Sequence, residues 1–572
     1  MPHWVESVIL RACFISATLM FKTRKSLLTA FIAGLLCVSG FAPFGLFPVP
    51  VLALAVLFAL WQRDGSPRAA GWTGFAFGLG LFAAGIGWIY VALHDYGGMN
   101  MLLALFATFL FAAFLALFPA LAGYAQARFP ALTGVWFKSP EQEQRPREKT
   151  AFRIPIQVSL CVLMPAAWVL VEWLRGMIFT GFPWLTLGYA HSGSPLAGYA
   201  PLLGVYGVSL VAAVSAGLLA LLWHERWNRQ GRIALMMLAV LWLGGALLRG
   251  VAWTQPHGEP VSVALVQGNI AQDLKFREES LVGTLETYRR LTLQNPARLT
   301  VLPETALPLL RHEAPPMLIE QLREHARSNG GDILIGAFER NNGSYYNSVF
   351  TLGTANEQQY RKQHLVPFGE FIPLRPLIGW FINGVLNIPM GDLGRGEQWQ
   401  TPLDIAGQHV AANICYEDVF GEEIIRALPQ ATLLVNVTND AWYGHSHAAA
   451  QHNQISQLRA LETGRMMLRA TNTGLTSIIG ADGKIVQQLP QHSEGVLNGM
   501  AQGYEGATPY VRWGNAAMLL LIALMLAYAW VRRTTSPLPS QAPSPASEIT
   551  SDLAAVASQP SRMASSSTRG LR

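Results

Sequence analysis

Residues 101–121 read MLLALFATFLFAAFLALFPAL, without a single charged side chain. About 20 apolar residues in a helix cross the hydrocarbon core of a bilayer, so this stretch predicts a membrane-spanning helix. Six similar runs flank it, and an eighth lies near the C-terminus. The predicted spans are 26–44, 46–62, 71–93, 100–127, 155–178, 199–223, 233–253 and 515–531. The sequence therefore predicts a multi-pass α-helical membrane domain of about eight transmembrane helices.

The composition of all 572 residues agrees with this prediction. Charged residues make up 13% of the chain and hydrophobic residues 51%, whereas soluble domains average about 25% charged. This balance excludes a chain that is wholly water-soluble, disordered, collagen-like or stapled by disulfides. The net charge of +6 could suggest a nucleic-acid partner, but the positions of the basic residues argue for membrane topology instead.

Basic residues are confined to alternate loops between the predicted spans. They are Arg11, Lys22, Arg24, Lys25, Arg63, Arg68, Arg128, Lys138, Arg145, Arg147, Lys149, Arg153, Arg226, Arg229 and Arg232. The intervening loops 94–99 and 179–198 contain no Lys or Arg. Because Lys and Arg are retained on the cytoplasmic side, the N-terminus is predicted to be cytoplasmic. Seven crossings then place residues 254–514 outside, and the last span returns the chain to Arg532 and Arg533 inside.

Five segments follow from this topology. They are a cytoplasmic N-terminal segment 1–25, a seven-helix transmembrane region 26–253, an external domain 254–512, an eighth transmembrane helix 513–533 and a cytoplasmic tail 534–572. The tail is rich in Ser, Pro and Ala, so we expect it to be disordered. Met20 precedes a basic and then apolar pattern, which makes it an alternative translation start to Met1.

Within the external domain, short β-rich runs alternate with helical stretches, a pattern typical of a layered α/β fold. The predicted strands are 261–267, 299–302, 332–338, 345–352, 409–414, 432–437 and 475–479. Apolar spacing and good helix formers predict a helix over residues 451–470. Asp482 and Gly483 form a hairpin turn signal.

Cys415 is the only cysteine of the external domain, so no disulfide can form within it. A lone thiol outside the cytoplasm is either buried and inert or functional. Cys415 ends the apolar run AANIC and precedes YEDVFGEEII, which is predicted to begin a helix. A thiol at such an elbow is exposed, and a helix N-terminus favours its thiolate form. This context favours a functional thiol.

Three motifs are predicted to lie at strand ends: VLPETALP (301–308), YRKQHLVPFGEFIP (360–373) and NICYEDVFG (413–421). They resemble the Glu, Lys and Cys motifs of the nitrilase, or carbon-nitrogen hydrolase, superfamily. Combined with the spans, the chain is similar to the membrane-embedded apolipoprotein N-acyltransferase family from residue 26 to 531. The resemblance implies an external nitrilase-like αββα sandwich. Further matching stretches are EWLRG, GFPWLTLGY, VQGNIAQDLKF, TNDAWYG and QHNQISQLRALETGRMMLRATNTG.

The resemblance implies that Glu304 is the general base, Lys362 the electrostatic stabiliser and Cys415 the nucleophile. An ordinary thiol has a pKa near about 8.5, so a carboxylate must accept its proton at neutral pH. The resulting oxyanion needs donors such as Lys362 and the amide after Cys415, each typically worth about 3 kcal/mol. Glu370 is expected to orient Lys362 or the base, and Tyr416 and Glu417 to support the thiol.

The resemblance also implies the reaction. A phospholipid acyl chain, usually from phosphatidylethanolamine, moves to Cys415 and then to the N-terminal amine of a diacylglyceryl-cysteine apolipoprotein. This ping-pong acyl transfer needs no metal or cofactor. The expected location is the bacterial inner membrane, with a periplasmic catalytic domain and both termini cytoplasmic.

Substrate contacts are expected at two further places. The apolar segment 377–388, which contains Trp380, is either a mobile arm that enters the outer leaflet or gates the acyl pocket, or a buried core helix. Phe276 and Leu302 stand where the family commonly has Trp. Both retain an apolar side chain but lose the indole donor, which is expected to alter substrate contacts more than the reaction.

Several charged residues have a structural and a functional interpretation. Glu172 and Arg175 could form an ion pair or contact a lipid headgroup. His445, His447 and His452 are interpreted as loop histidines, because their spacing does not suit zinc. Arg459, Arg465 and Arg469, on the predicted helix, are expected to make structural pairs and not to bind nucleic acid.

Two rival functions remain open from the residues alone. The first is a membrane-tethered amidase or nitrilase, in which water resolves the thioester; the lipid-facing spans argue against it. The second is a transporter with a binding domain. The near absence of charged residues from the spans argues against transport, and Glu304, Lys362 and Cys415 would then have no role.

Overall fold

The computed structural model describes residues 24–132, 150–372, 375 and 392–537. The alternative start Met20, most of the apolar segment 377–388 with Trp380, and the tail after residue 537 lie outside the described residues.

Helices fill the chain before residue 250. Helix α1 covers residues 24–37. The next six are α2 (Pro48–Arg63), α3 (Pro67–Gly85), α4 (Met101–Leu132), α5 (Ile156–Arg175), α6 (Ala200–Glu225) and α7 (Arg229–Leu248). In α6, 83% of the most apolar stretch is buried, against 28% in α4 and 17% in α7. Helix α6 is therefore central, whereas α4 and α7 present large apolar side chains outward, as lipid-facing helices do.

Each predicted span contains a helix, but the helices differ in length. Among the described residues, α4 to α7 are long and apolar enough to cross a membrane, and α3 makes a fifth with its bent continuation Trp88–Tyr96. Helices α1, α2 and the C-terminal helix Ala516–Val531 are shorter. Several membrane helices are therefore established, whereas eight full crossings are not.

The external domain contains thirteen labelled strands and four labelled helices within its described residues. The strands are β1 (Gln255–Gln267), β2 (Leu299–Val301), β3 (Leu307–Leu310), β4 (Asp332–Asn341), β5 (Ser344–Gly353), β6 (Gln359–Arg361), β7 (Leu403–Ile405), β8 (Gln408–Ile414), β9 (Leu433–Thr438), β10 (Met467–Thr471), β11 (Ser477–Ile479), β12 (Ile485–Gln488) and β13 (Gly495–Glu505). The helices are α8 (Glu278–Leu293), α9 (Pro316–Ser328), α10 (Ala448–Thr463) and α11 (Pro509–Trp513).

Two sheets stack face to face. The first has the order β13-β1-β2-β4-β5-β6, with β3 beside β4, and the second has the order β12-β11-β10-β9-β8-β7. Strands β1, β2 and β4 are parallel, as are β8, β9 and β10. Val263 and Val301 of the first sheet share a buried core with Val410 and Val435 of the second, so apolar side chains on the inner faces hold the sheets together.

Helices cover the outer faces of both sheets. Leu285 of α8 and Leu322 of α9 pack with Ile333 of the first sheet, and Ala460 of α10 packs with Leu434 of the second. This layering is the predicted αββα sandwich. Leu458, on another face of α10, belongs to the core of the membrane helices. Helix α10 therefore lies between the second sheet and the membrane region.

All seven predicted strands are confirmed, although β1 begins six residues before the predicted start at Val261, but the helix predicted over 451–470 is wrong in its last seven residues. Helix α10 ends at Thr463 because Gly464 adopts a left-handed conformation with φ +65°, which terminates helices. The chain then enters β10 as a strand of the second sheet. Strands β3, β6, β7, β12 and β13 are not among the strands predicted from the sequence.

A short antiparallel ribbon joins two distant segments. It pairs Thr150–Arg153, which lie between α4 and α5 in the chain, with Thr534–Pro537. The latter residues were predicted to begin the disordered tail, and that prediction is wrong for these four, because backbone pairing orders them.

Candidate active site

The three predicted motifs converge between the sheets. Glu304 lies shortly after β2, Lys362 directly follows β6, and Cys415 directly follows β8. Glu304 is 7% exposed and Lys362 only 1% exposed. Each ionised side chain therefore needs partners inside the protein, because an uncompensated buried charge is costly.

Two carboxylates share the Lys362 ammonium. Its Nζ lies 2.9 Å from Oε1 of Glu370 and 3.5 Å from Oε1 of Glu304. The Asn347 side-chain amide donates to the same two oxygens, at 2.7 Å to Glu304 and 3.2 Å to Glu370. Burial lowers the pKa of Lys362, but Glu370 and Glu304 raise it by more, so it lies well above its usual range. The side chain is therefore a permanent cation.

The second oxygen of Glu304 is also fixed. Its Oε2 accepts a hydrogen bond of 2.9 Å from the backbone amide of Asn439, just after β9. The loop that carries Glu304 lies close to β4, since a Cβ on Gly336 would come within 2.5 Å of the Pro303 carbonyl oxygen. Thr305 has φ +48°, an unusual conformation for a β-branched residue. The carboxylate is therefore held in one orientation at the cost of local strain.

Cys415 forms the elbow that the sequence predicted at the end of β8, but the residues that follow it do not continue as the predicted helix. Its φ is +55°, a strained value for a non-glycine residue. The Asn436 side chain donates to its carbonyl oxygen at 3.1 Å. The next residues form only a short 3₁₀ turn, Cys415–Val419. The expected helix N-terminus is thus absent from this described segment, and the strain is held by hydrogen bonds instead.

The surroundings of Cys415 oppose the predicted preference for the thiolate. Burial, followed by the nearby Glu304 carboxylate, raises the pKa of the thiol above its usual range, and Lys362 offsets only part of this. These surroundings therefore favour the protonated thiol. A base that removes the proton during attack is correspondingly more important.

Glu417 braces two catalytic segments against each other. Its carboxylate accepts hydrogen bonds from the amides of Gln363 (2.7 Å) and Ile414 (2.7 Å), and from the hydroxyl of Tyr360 (2.9 Å). Gln363 follows Lys362 and Ile414 precedes Cys415, so one buried side chain fixes the spacing of both. Burial raises the pKa of Glu417 to about 7, although the backbone hydrogen bonds and Lys362 lower it.

The other supporting residues occupy different environments. Oε2 of Glu370 accepts from the Val366 amide at 2.9 Å, which shapes the loop after Lys362. Tyr416 is buried, and its hydroxyl donates to the Gly181 carbonyl at 3.3 Å. Phe276 is 43% exposed, so it remains available to a substrate. Leu302 is fully buried in the core beneath α8 and α9, so the expectation that it alters substrate contacts is wrong.

A loop of the membrane region, residues 176–191, forms the floor beneath the elbow. Trp184 donates from Nε1 to Gln451 of α10 at 2.7 Å, and the Tyr189 hydroxyl donates to the Val419 carbonyl at 3.0 Å. Helix α5 shapes this loop. Arg175 donates to the Trp184 carbonyl at 2.6 Å, and Glu172 accepts from the Leu187 amide at 2.9 Å.

Glu172 and Arg175 are therefore structural residues, because each forms a hydrogen bond with a backbone group of the loop 176–191. Both are at least 95% buried, which removes them from a lipid headgroup. Their loop contains the GFPWLTLGY stretch quoted above, so this matching sequence serves to join the membrane helices to the Cys415 elbow.

Among the three histidines, the loop interpretation holds for two. His445 lies against His492, with ring centroids 4.0 Å apart, and His447 lies edge-on to Phe44. His452 is instead fully buried on α10. Its ring nitrogens lie 2.8 Å from Asp418 and 3.0 Å from Asp440. The loop interpretation of His452 is wrong because these two carboxylates draw it into an ion network.

Arg459 and Arg469 make the predicted structural pairs, whereas within the described part of the chain Arg465 bonds only to backbone carbonyls, and Arg465 and Arg469 lie beyond the end of the helix. Arg469 pairs with Asp418 at 3.1 Å and Asp440 at 3.0 Å. It also donates to the Asn436 side chain at 2.8 Å, which in turn holds the Cys415 carbonyl. Arg459 pairs with Glu462, and Arg465 donates to backbone carbonyls. Through Asn436, the ion pairs and hydrogen bonds of Arg469 thus help to hold the Cys415 elbow in place.

Replacing Arg469 with Met is expected to lower the free energy of unfolding by about 3 to 5 kcal/mol, because Asp418 and Asp440 would keep buried charge without this cation. The midpoint of thermal unfolding in detergent measures this. Arg289→Met removes an exposed i,i+3 pair with Glu286 and is the matched control, with little expected effect. Equal midpoints for the two variants would contradict the assigned role of Arg469.

Sequence reasoning missed Asn347, Asn439, Gln272 and Lys275. Gln272 and Lys275 belong to VQGNIAQDLKF, which was quoted only as a resemblance. Asn439 is the second residue of TNDAWYG, another of the matching stretches. The only signal in the sequence was the polar character of these residues near strands. The residues that they contact lie in other motifs and could be identified only from the fold.

Comparison with known proteins agrees with this architecture. The carbon-nitrogen hydrolase family profile matches residues 262–509, which contain nearly all of the two stacked sheets. The profile of the apolipoprotein N-acyltransferase N-terminal domain matches residues 33–218. One profile thus matches the helical region, and the other matches the two-sheet domain.

Whole-length relatives unite the two parts. The chain is 51% identical over 503 residues to apolipoprotein N-acyltransferase from Nitrosomonas europaea, covering 87% of this chain and 96% of the relative. It is 43% identical to the enzyme of the same name from Methylococcus capsulatus, covering 89% and 96%. The chain therefore belongs to the apolipoprotein N-acyltransferase family, and it is an acyltransferase and a membrane protein.

A solved structure resembles the external domain. It is a carbon-nitrogen hydrolase superfamily protein from Xanthomonas campestris, which aligns with 46% of this chain and 97% of its own length at 17% identity and a TM-score of 0.33.

Proposed function

We propose that the chain moves a fatty acyl group from a phospholipid to Cys415, and from there to the N-terminal amine of a diacylglyceryl-cysteine apolipoprotein. One observation carries the proposal: the Cys415 elbow lies directly on a loop of the membrane helices, through Tyr416 and Gly181. A nucleophile in this position can meet an ester at the membrane surface.

In the first half-reaction, Glu304 accepts the Cys415 proton as the sulfur attacks the ester carbonyl carbon. Lys362 and the backbone amide of Tyr416 stabilise the oxyanion. When the tetrahedral intermediate collapses, the carbon–oxygen bond breaks and the glycerol oxygen takes the proton from Glu304. The lysophospholipid leaves, and the acyl group remains as a thioester.

In the second half-reaction, the acceptor amine attacks the thioester carbon. Glu304 accepts a proton from the nitrogen and returns it to the sulfur, so an amide forms and the Cys415 thiol is restored. The acceptor enters as an ammonium group near neutral pH, so one further proton is released to solvent. Phosphatidylethanolamine is the proposed donor.

The proposed topology has eight crossings of the bacterial inner membrane, a periplasmic catalytic domain and cytoplasmic termini. Fifteen basic residues in the first segment and alternate loops support it. The ribbon of Thr150–Arg153 with Thr534–Pro537 supports it as well, because these two paired segments must then lie on one side.

A transfer assay tests the acceptor. The detergent-purified protein is incubated with phosphatidylethanolamine and a diacylglyceryl-cysteine peptide, whose N-terminus is either free or acetylated, and products are weighed by mass spectrometry. We expect one additional acyl chain on the free peptide alone. Release of free fatty acid at the same rate with either peptide would instead indicate a hydrolase.

A further inference from the structure

Lys275 is a second buried lysine beside the general base, and the mechanism above does not use it. It lies in a turn between β1 and α8 and is fully buried. Its Nζ donates a hydrogen bond of 3.0 Å to the backbone carbonyl of Glu304. A lysine is almost never buried without a charge partner or a role, so its position demands an explanation.

The same turn holds Glu304 through a second contact. The Asn439 side-chain amide donates to Gln272 at 2.7 Å, and the Asn439 backbone amide donates to the Glu304 carboxylate. Lys275 thus fixes the main chain of Glu304. Gln272 fixes Asn439, and Asn439 in turn fixes the Glu304 carboxylate.

The charges around Lys362 do not balance without Lys275. Glu304 and Glu370 carry two negative charges against the one positive charge of Lys362, all within 3.5 Å of its Nζ. When the thiol proton passes to Glu304, the negative charge moves from that carboxylate to the sulfur and then to the oxyanion, so the site keeps a net negative charge in a medium of low dielectric, where an uncompensated charge interacts strongly with a nearby cation. Glu304 and Cys415 are the ionisable groups whose charges act on Lys275.

We propose that Lys275 is a positioning residue and the second cation of the site: it fixes the Glu304 loop and offsets the negative charge that develops during acylation of Cys415. This inference rests on the proposed function. Lys275 acts in two ways. Its hydrogen bond to the Glu304 carbonyl positions the base, and its own positive charge offsets the negative charge of the site.

The protonation of Lys275 gives the proposal a pH signature. Burial lowers its pKa to about 7, although Glu304 and Cys415 raise it. The positive form, and hence the charge effect, is present below about pH 7 and is lost as the pH rises through this value. A hydrogen bond to the Glu304 carbonyl can be donated by either form, so a purely structural role has no such dependence.

The test compares the wild type with Lys275→Met and Lys275→Arg across this pH range, with the exposed Lys484→Met as the matched control. The rate of Cys415 acylation by phosphatidylethanolamine is measured in single turnovers. We expect Lys275→Met to lower it by about tenfold to 100-fold at acidic pH, with the deficit shrinking as the pH rises through about 7. Lys275→Arg is expected to recover part of the rate and to lose that pH dependence.

A deficit of Lys275→Met that is the same at every pH would overturn the charge role, and rates equal to wild type at every pH would overturn the whole proposal. Alkylation of Cys415 by iodoacetamide needs no lipid and separates this proposal from the function. Alkylation of Cys415 below about pH 7, where Lys275 is positive, should be slower in Lys275→Met than in wild type, and the difference should vanish as the pH rises through this value. If wild-type protein forms no thioester but the alkylation difference is present, the proposed function fails and the role of Lys275 stands.

Discussion

Replacing Glu304 with Gln is expected to slow the acylation of Cys415 by about 10²- to 10⁴-fold, the usual contribution of a general base. The raised pKa of the Cys415 thiol places the effect toward the upper end of this range. Gln retains the size of the side chain and can still accept a hydrogen bond from Asn439. The measurement is the time course of the acyl adduct by intact-mass analysis.

The variant Glu278→Gln makes the same chemical change at an exposed position in the first turn of α8 and serves as the control. Raising the pH should recover part of the rate of Glu304→Gln, because bulk solvent then removes more of the thiol proton. An acylation rate within about twofold of wild type would be far outside the expected range for loss of a base, and Glu304 would lose its assigned role.

Replacing Lys362 with Met is expected to lower kcat by about 10²- to 10³-fold, as loss of one oxyanion donor does. The substitution also leaves Glu304 and Glu370 close together without their shared cation, so one of them should take up a proton. A proton on Glu304 would remove the base as well. Steady-state transfer from phosphatidylethanolamine measures kcat and KM separately.

Glu370→Gln is the informative comparison for Lys362→Met. It removes the 2.9 Å ion pair but leaves Lys362 charged and bound to Glu304, so a smaller loss of kcat is expected. If Glu370→Gln were as severe as Lys362→Met, the main function of Lys362 would be to pair with Glu370 and not to stabilise the oxyanion.

Glu304, Lys362 and Cys415 could be singled out from sequence because each stands in a short motif that resembles a nitrilase motif, and Glu304 and Cys415 also follow apolar strands. The αββα arrangement was implied by the same motifs. The bracing residues could not be predicted in this way, since Glu417 acts on Gln363 and Ile414 from two different segments. Their roles depend on distances that only the folded chain defines.

The failures of prediction have local physical causes. The helix predicted over 451–470 extends past Gly464, because the apolar spacing continues beyond this glycine. In the structure, Gly464 adopts φ +65° and ends the helix. His452 was interpreted as a loop residue because its partners, Asp418 and Asp440, belong to other elements. The predicted thiolate at Cys415 assumed a helix N-terminus, whereas burial dominates in the folded site.

Lys275 illustrates what a motif can conceal. Its neighbour Phe276 attracted attention as a departure from a common Trp, while the lysine, which the fold buries against Glu304, did not. Hydropathy likewise predicted helices in the membrane region correctly, but it could not predict that residues 176–191 form the floor of the active site through Trp184 and Tyr189.

The central claim is that Cys415 carries the acyl group, and the most direct test is intact-mass analysis of the detergent-purified protein after exposure to phospholipid alone, beside Cys415→Ala. The account predicts a fatty-acyl mass increase that hydroxylamine removes and that the variant lacks. Folded wild-type protein without an adduct, or the same adduct on Cys415→Ala, would contradict it.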